Sequence, residues 1–272
     1  PVKVRGDASA RILPFPSVTF TDVVVGAGDS EPAMTAEEFS MDAELAPFMS
    51  GEFRIFDMRV VRPKATVSVG ADGTIDWAMR PSSPIAASRI SLEKLTISEG
   101  LVTIHHAGSG RDHVLSEINM DASARSLLGP WRAEGSLRAD GRQAVLSIST
   151  GAPADDGSMR LKLRTNPALY PIVIEADGDV RMESGAATYA GTFRVDAKED
   201  VTLELRGAEK NGAAAKADRQ VVPPNRLGGK FTFDSHRLSI DEFRFESGPL
   251  NDPYVADGKA AIDFGAEPRF SI

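Results

Sequence analysis

The chain has no cysteine among its 272 residues. That excludes a disulfide framework, a thiolate nucleophile and a cysteine metal site. Positive charge is also in deficit: 31 Lys and Arg stand against 39 Asp and Glu, for a net charge of -8. Nucleic acid binding needs a basic surface, so a nucleic-acid partner is not expected. Simple docking to anionic lipid headgroups is disfavoured for the same reason. Acyl chains carry no charge and are not excluded. Long hydrophobic runs are missing too. No stretch of about 18 apolar residues occurs, so no membrane span is expected within these residues, and no signal peptide is visible. The chain opens on Pro1 and closes on Arg269-Phe270-Ser271-Ile272 in mid-strand pattern. It reads as a fragment.

Motifs of catalysis are absent as well. There is no Gly-x-Ser-x-Gly elbow and no His-Glu-x-x-His helix. Gly26-Ala27-Gly28-Asp29-Ser30-Glu31 follows a strand pattern, but the third glycine of a dinucleotide loop and the helix that would receive the phosphate are missing. It reads as a turn. Carboxylate pairs such as Glu37/Glu38 and Asp155/Asp156 fall in turns and at strand edges. The histidines are the remaining metal candidates. His105, His106 and His113 lie close in sequence, with Asp112 among them. In a hairpin of 100–106 with 113–120, His105 and His113 would approach each other. Yet His105 and His106 are neighbours on a strand and point to opposite faces. The reading is exposed hairpin residues and no metal. Neither a cofactor nor an enzymatic activity is expected.

What the chain does contain is a strand pattern that repeats. Val18/Phe20/Val23/Val25, Phe53/Ile55/Met58/Val60, Ile90/Leu92/Leu95/Ile97 and Leu238/Ile240/Phe243/Phe245 share the spacing apolar-x-apolar-x-x-apolar-x-apolar. His113/Leu115/Ile118/Met120 is a looser copy. A strand alternates faces with period two, so a step of three flips the phase. One extra residue in a β-bulge restores it and bends the strand. Repeated bends in amphipathic strands predict a mainly β fold: an elongated, curved antiparallel sheet, a half-barrel or trough with one apolar face.

Turn signals divide the strands. Ala-Asp-Gly occurs at 71–73, 139–141, 176–178 and 256–258. The first two copies lie between strand patterns and predict hairpin tips, since Asp-Gly supplies positive φ. The last two predict strand kinks. Further strands are expected at 64–69, 74–79, 100–106, 131–138, 142–150, 158–165, 171–182, 187–196, 200–206, 229–234, 253–264 and 268–272. In 36–45 a capping box at Thr35 and Glu38 competes with strict alternation of Phe39, Met41, Ala43 and Leu45. The alternation is taken, giving a strand. Short helical turns are expected at 46–50, 84–88, 126–129 and 167–170, and no long helix anywhere. Residues 207–226 break the rhythm and read as a surface insertion or linker, because Pro223 and Pro224 cannot join a central ladder. One continuous domain over 1–272 is the preferred reading.

These residues resemble the AsmA family of bacterial envelope proteins, which includes the TamB-like proteins. The first block is Ala46-Pro47-Phe48-Met49-Ser50-Gly51-Glu52-Phe53-Arg54-Ile55, then Met58 to Pro63, then Asp72-Gly73-Thr74-Ile75-Asp76-Trp77. Asp76 stands where Asn is commoner in the family. The second is Ile90 to Ile97, Gly100, Leu115 to Ala124, Gly129-Pro130-Trp131 and Gly135. The resemblance spans roughly 15–272 and thins after about 150. It implies a periplasmic protein tethered to the inner membrane by an N-terminal helix absent from this sequence. It also implies a β-groove with an apolar interior, acting in phospholipid transport and outer-membrane biogenesis.

Taken together, the expected function is binding of lipid acyl chains in an apolar groove. The residues expected to face it are Phe53, Ile55, Met58, Val60, Ile90, Leu92, Leu95, Ile97, Val102 and Ile104. Expected partners are phospholipid acyl chains, the membrane through that anchor, and envelope proteins. The alternative is a non-catalytic structural or interaction module of the envelope with a closed β core. An open apolar face distinguishes the first from the second.

Overall fold

A computed structural model describes residues 2–13, 15–26, 32–44, 46, 51–76, 86–197, 202–203, 220–221, 225–249 and 251–272. Among these the chain is almost wholly strand. The first wing comprises β1 (Val2–Val4), β2 (Ala8–Arg11), β3 (Ser17–Val25), β4 (Met34–Glu44), β5 (Phe53–Val61), β6 (Lys64–Val69) and β7 (Ile75–Asp76). A 3-10 turn at Ala87–Arg89 leads into the long β8 (Ile90–His106) and β9 (Arg111–Ala124). The second wing comprises β10 (Trp131–Ala139), β11 (Arg142–Pro153), β12 (Met159–Pro167), β13 (Ile172–Glu183) and β14 (Ala186–Ala197). After the two-residue strands β15 (Thr202–Leu203) and β16 (Gln220–Val221), it continues with β17 (Asn225–Phe233), β18 (Arg237–Ser247), β19 (Tyr254–Asp263) and β20 (Arg269–Ser271).

Eighteen of these strands form one curved sheet, open rather than closed into a barrel; β15 and β16 pair only with each other. From β8 to β14 each strand pairs antiparallel with the next, and β17 to β20 continue the meander. β14 pairs directly with β17, so the sheet runs on across the intervening segment. Most of the expected 207–226 insertion lies outside the described residues. Its boundary is corrected: Asn225 and Arg226 are the first residues of β17 and pair with Ser247 and Glu246. The first wing holds one departure from antiparallel order. β5 and β6 lie end to end and both pair in parallel with β8, Phe53 opposite Ile90 and Lys64 opposite Leu101. Two copies of the repeat therefore pair residue for residue: Phe53, Ile55, Met58 and Val60 face Ile90, Leu92, Leu95 and Ile97.

The steps of three fall at bulges. In β5, Ile55 and Asp57 oppose Ala43 and Asp42, which leaves Phe56 as the extra residue. In β8, Leu92 and Leu95 oppose Ala124 and Ala122. In β18, Ile240 and Phe243 oppose Ala260 and Gly258. The looser copy in β9 slips against β10 between Asn119 and Ser116. β3 differs. It keeps one register against β4 from Ser17 to Val25, and Asp22 takes a left-handed φ of 50° at the phase change. β4 shares that change, stepping from Ala36 to Phe39, so neither strand needs an extra residue.

Turn chemistry matches the sequence where it is described. Asp140 and Gly141 have φ of 47° and 80° and close the tight β10–β11 hairpin. At 71–73 a tight turn joins β6 to β7, with Gly73 at φ 81°. The expected 74–79 strand is described only as Ile75–Asp76, and the residues after it, including Trp77, lie outside the described residues. The 46–50 turn falls mostly outside them too, as do Ala27 to Glu31. Residues 36–45 are strand as far as Glu44. Of the expected helical turns, 84–88 is met by the 3-10 turn at Ala87–Arg89, while 126–129 and 167–170 are hydrogen-bonded or bent turns.

The sheet also curls enough for its wings to touch. By pairing, the 184–185 turn lies level with the start of β8, near Ile90. Yet Ala186 bridges Thr74, just past the end of β6, which lies level with His106. The Ile75 N–H donates to the Gly185 carbonyl at 2.9 Å. The contact is diagonal, the stagger that a rolled sheet requires.

Candidate functional site

Two adjacent rows of paired residues run across thirteen strands, and they have opposite chemistry. One row passes Val18, Met41, Met58, Leu95, Ala122 and Ala133, each directly opposite the next. It continues through Ile148, Leu163, Ala176 and Phe193, then Gly229, Phe243 and Gly258. Every member is apolar or glycine. The row one residue away passes Thr19, Ser40, Arg59, Thr96, Asp121 and Glu134. It continues through Ser147, Arg164, Glu175 and Arg194, then Gly228, Arg244 and Asp257. No apolar side chain occurs in it. Neighbouring residues of a strand face opposite sides, so the sheet has one apolar and one polar face.

Cross-strand ion pairs line the polar face. Arg164 Nη1 lies 2.7 Å from Glu175 and Lys162 Nζ 3.2 Å from Asp177. Arg160 pairs with the same aspartate at 2.6 Å and Arg54 with Glu93. Apart from the half-buried Asp177 their side chains are solvent-exposed, and such pairs add little to stability singly but suit a surface facing water.

The apolar face is the inner one, because its residues from both wings line a common pocket: Val69 from the first and Ile104 from the adjoining β8, Ala187 and Phe233 from the second. Along it, aromatic rings lie over glycines. Phe243 covers Gly258, and Phe193 covers Gly229. Phe231 packs edge-on against Tyr189, ring centroids 4.9 Å apart. Burial holds the Tyr189 phenol above its ordinary pKa, and its hydroxyl donates to the Leu161 carbonyl at 3.1 Å. All thirteen members of the apolar row are half-buried, neither sealed nor bare. No described side chain of the sheet is below 2% exposure. A sandwich would bury its inner face between two layers. Among the described residues no second layer covers this one.

The ten residues expected to face the groove are placed as follows. Ile55, Ile90 and Leu92 are buried and form a cluster with Ala124. Phe53, Met58 and Leu95 pack against that cluster, as do Met41 and Trp131. Val60 and Ile97 oppose each other in the parallel pairing. Val102 lies between Ala65 and Leu115, and Ile104 between Val67 and His113. The ten expected residues leave out the second wing, where Ile148, Leu163, Phe193 and Phe231 carry the face onward. Their signal was present as plain alternation in 142–150, 158–165, 187–196 and 229–234.

The histidines separate. His105 opposes Asp112 in β9, and its Nδ1 lies 2.6 Å from that carboxylate. His113 opposes Ile104, and its Nδ1 lies 2.8 Å from Asp140 Oδ2. The expected approach of His105 to His113 is corrected: the pairing is one residue out of step, which puts them on opposite faces. His106 reaches across the closure, its Nε2 2.8 Å from the Ser235 carbonyl and its ring 6.3 Å from His236. No metal-binding group of three or more His, Cys, Asp or Glu occurs among the described residues. The His113 hydrogen bond and the Val114 N–H hold the Asp140 carboxyl below its usual range. No described helix is long and apolar enough to cross a membrane.

Comparison with family models, with curated proteins and with solved structures finds no match to the chain.

Proposed function

We propose that the apolar face binds lipid acyl chains, and that the chain is part of an AsmA-like periplasmic protein, tethered to the inner membrane, that helps phospholipid move between membranes. The observation that carries the reading is the apolar row across thirteen strands with no described layer over it. Burial of apolar surface is the main favourable term in association, so an uncovered apolar face this long invites a ligand. An acyl chain is flexible enough to follow a curved sheet and needs no hydrogen bonds from it. The polar outer face keeps such a trough in water. No covalent chemistry is proposed.

Native mass spectrometry of the purified protein, with lipid extraction, tests this. Ile148 and Leu163 oppose each other on the apolar face and are only half-buried. The expected result is co-purified phospholipid in the wild type and its loss in Ile148→Glu with Leu163→Glu, the far-ultraviolet circular dichroism being unchanged. A folded wild type that carries no lipid overturns the reading in favour of an interaction module. That second reading has its own support in the exposed edges of the sheet, where Val2 and Phe270 are 66% and 72% accessible.

A further inference from the structure

At the diagonal closure lies a pocket of about 380 Å³, open to solvent on one side. That lies at the lower end of the roughly 300–1,000 Å³ of small-ligand pockets. Its walls come from both wings: Val69, Ile75 and Ile104 on one side, Phe233, Phe264 and Pro268 on the other. Phe233 and Phe264 meet edge to face, centroids 6.1 Å apart.

Arg111 is the charged side chain on its lining. His113 lines it too, and no Asp or Glu does. Arg111 donates from Nη2 to the Ala266 carbonyl at 3.3 Å, across the closure, and forms no ion pair among the described residues. Its neighbour Asp112 is taken up by His105 on the opposite face. The Asp140 carboxylate accepts a hydrogen bond from His113 Nδ1–H, and Nε2 has no protein partner among the described residues. His106 and Ser109 also line the cavity but are bound to each other at 2.7 Å. In a chain of net charge -8, a mainly apolar pocket lined by a guanidinium and by no carboxylate runs against the overall sign.

We propose that this pocket holds a single-chain amphiphile with an anionic head, the head on Arg111 and the chain against Ile104, Phe233 and Phe264. The volume suits one acyl chain rather than two. A guanidinium gives an anionic oxygen pair two parallel N–H donors, which a neutral head cannot use fully. The carboxylate of a fatty acid and the phosphate of a lysophospholipid share this chemistry. The inference deepens the trough reading and rests on it for the class of ligand.

Calorimetric titration of the whole chain tests it, with dodecanoate, a dodecanoyl lysophosphatidylglycerol and dodecanol as probes, each below its micelle concentration. Either anionic probe is expected to bind about tenfold to a hundredfold more tightly than dodecanol. A preference for dodecanoate identifies the carboxylate source, and one for the lysophospholipid the phosphate source. Arg111→Gln is expected to abolish the preference while leaving dodecanol binding unchanged, and Arg111→Lys to retain part of it. Equal binding of dodecanol and both anions, or a preference that survives Arg111→Gln, overturns the proposal. So does competition by inorganic phosphate as effective as that of the amphiphiles. The two readings fail separately. Co-purified phospholipid lost in the Ile148/Leu163 variant, with no head preference at Arg111, removes the cavity proposal alone. Amphiphile binding that needs Arg111 but ignores Ile148 and Leu163, in a protein carrying no phospholipid, removes the trough alone.

Discussion

Gly178 and Gly191 face each other across β13 and β14, and neither leaves room for a side chain. A Cβ on Gly178 would lie 2.7 Å from the Ala190 carbonyl carbon, and one on Gly191 2.8 Å from that of Asp177. The obstacle in each case is the partner strand's backbone, which cannot step aside as a flexible side chain can. The two backbones approach closely here, with no register slip in the ladder.

Gly191→Ala is therefore expected to destabilise the protein by about 1–3 kcal/mol. Gly228→Ala is the control, since its nearest atom would be the Phe193 carbonyl oxygen at an ordinary 3.4 Å. It is expected to change stability by less than about 0.5 kcal/mol. Urea unfolding of the two variants decides the matter, and equal midpoints would show that the strands have room for a side chain at this pair.

Glu99 sits inside β8 with a left-handed φ of 54°, and its N–H donates to Asn119 Oδ1 at 3.0 Å. A non-glycine residue pays roughly 1–2 kcal/mol for that conformation. Glu99→Gly is expected to be neutral or to stabilise by up to about 1 kcal/mol, the relief being partly offset by the freer unfolded chain. Glu99→Val is expected to destabilise by more than about 1 kcal/mol. If valine is tolerated as well as glycine, the bulge does not depend on the left-handed residue.

Asp140 links the β10–β11 tip to β9 through His113 and through the Val114 N–H, at 2.8 Å each. Its folded pKa is depressed, with the His113 hydrogen bond as the first cause. A carboxyl of this kind contributes stability above its unfolded pKa, and the contribution is lost as pH falls through the lower folded value. The side chain is more than half exposed, so the effect is modest. Unfolding midpoints followed downward from about pH 5 are expected to fall more steeply in wild type than in Asp140→Asn. Parallel curves would remove this linkage.

Much of the fold was legible because the apolar spacing and the bulges are the same fact seen twice. In β5, β8 and β18 each step of three in the sequence is a register slip in the ladder. In β3 the same spacing is met without a slip, since β4 changes phase beside it. Spacing along one strand cannot report what its partner does. Nor could it report direction: the repeats of β5 and β8 match residue for residue, yet a parallel pairing and an antiparallel one present identical patterns. The error over His105 and His113 came from pairing them directly, whereas the ladder sets His105 opposite Asp112, a one-residue slip that exchanges faces. The closure cavity was hidden for a different reason. Its residues are scattered from Val69 to Pro268 and meet only through twist accumulated over many strands.

Apart from the diagonal contact, the larger strands pack chiefly against their ladder neighbours. Such a ribbon has no single centre to melt. Hydrogen bonds hold each joint firmly, while slight rotations at successive joints add up along its breadth. The molecule is thus rigid along its strands and compliant across them. Thr74 and Ala186 act as a clasp at one corner of this ribbon, tying together strands that lie far apart along the ladder.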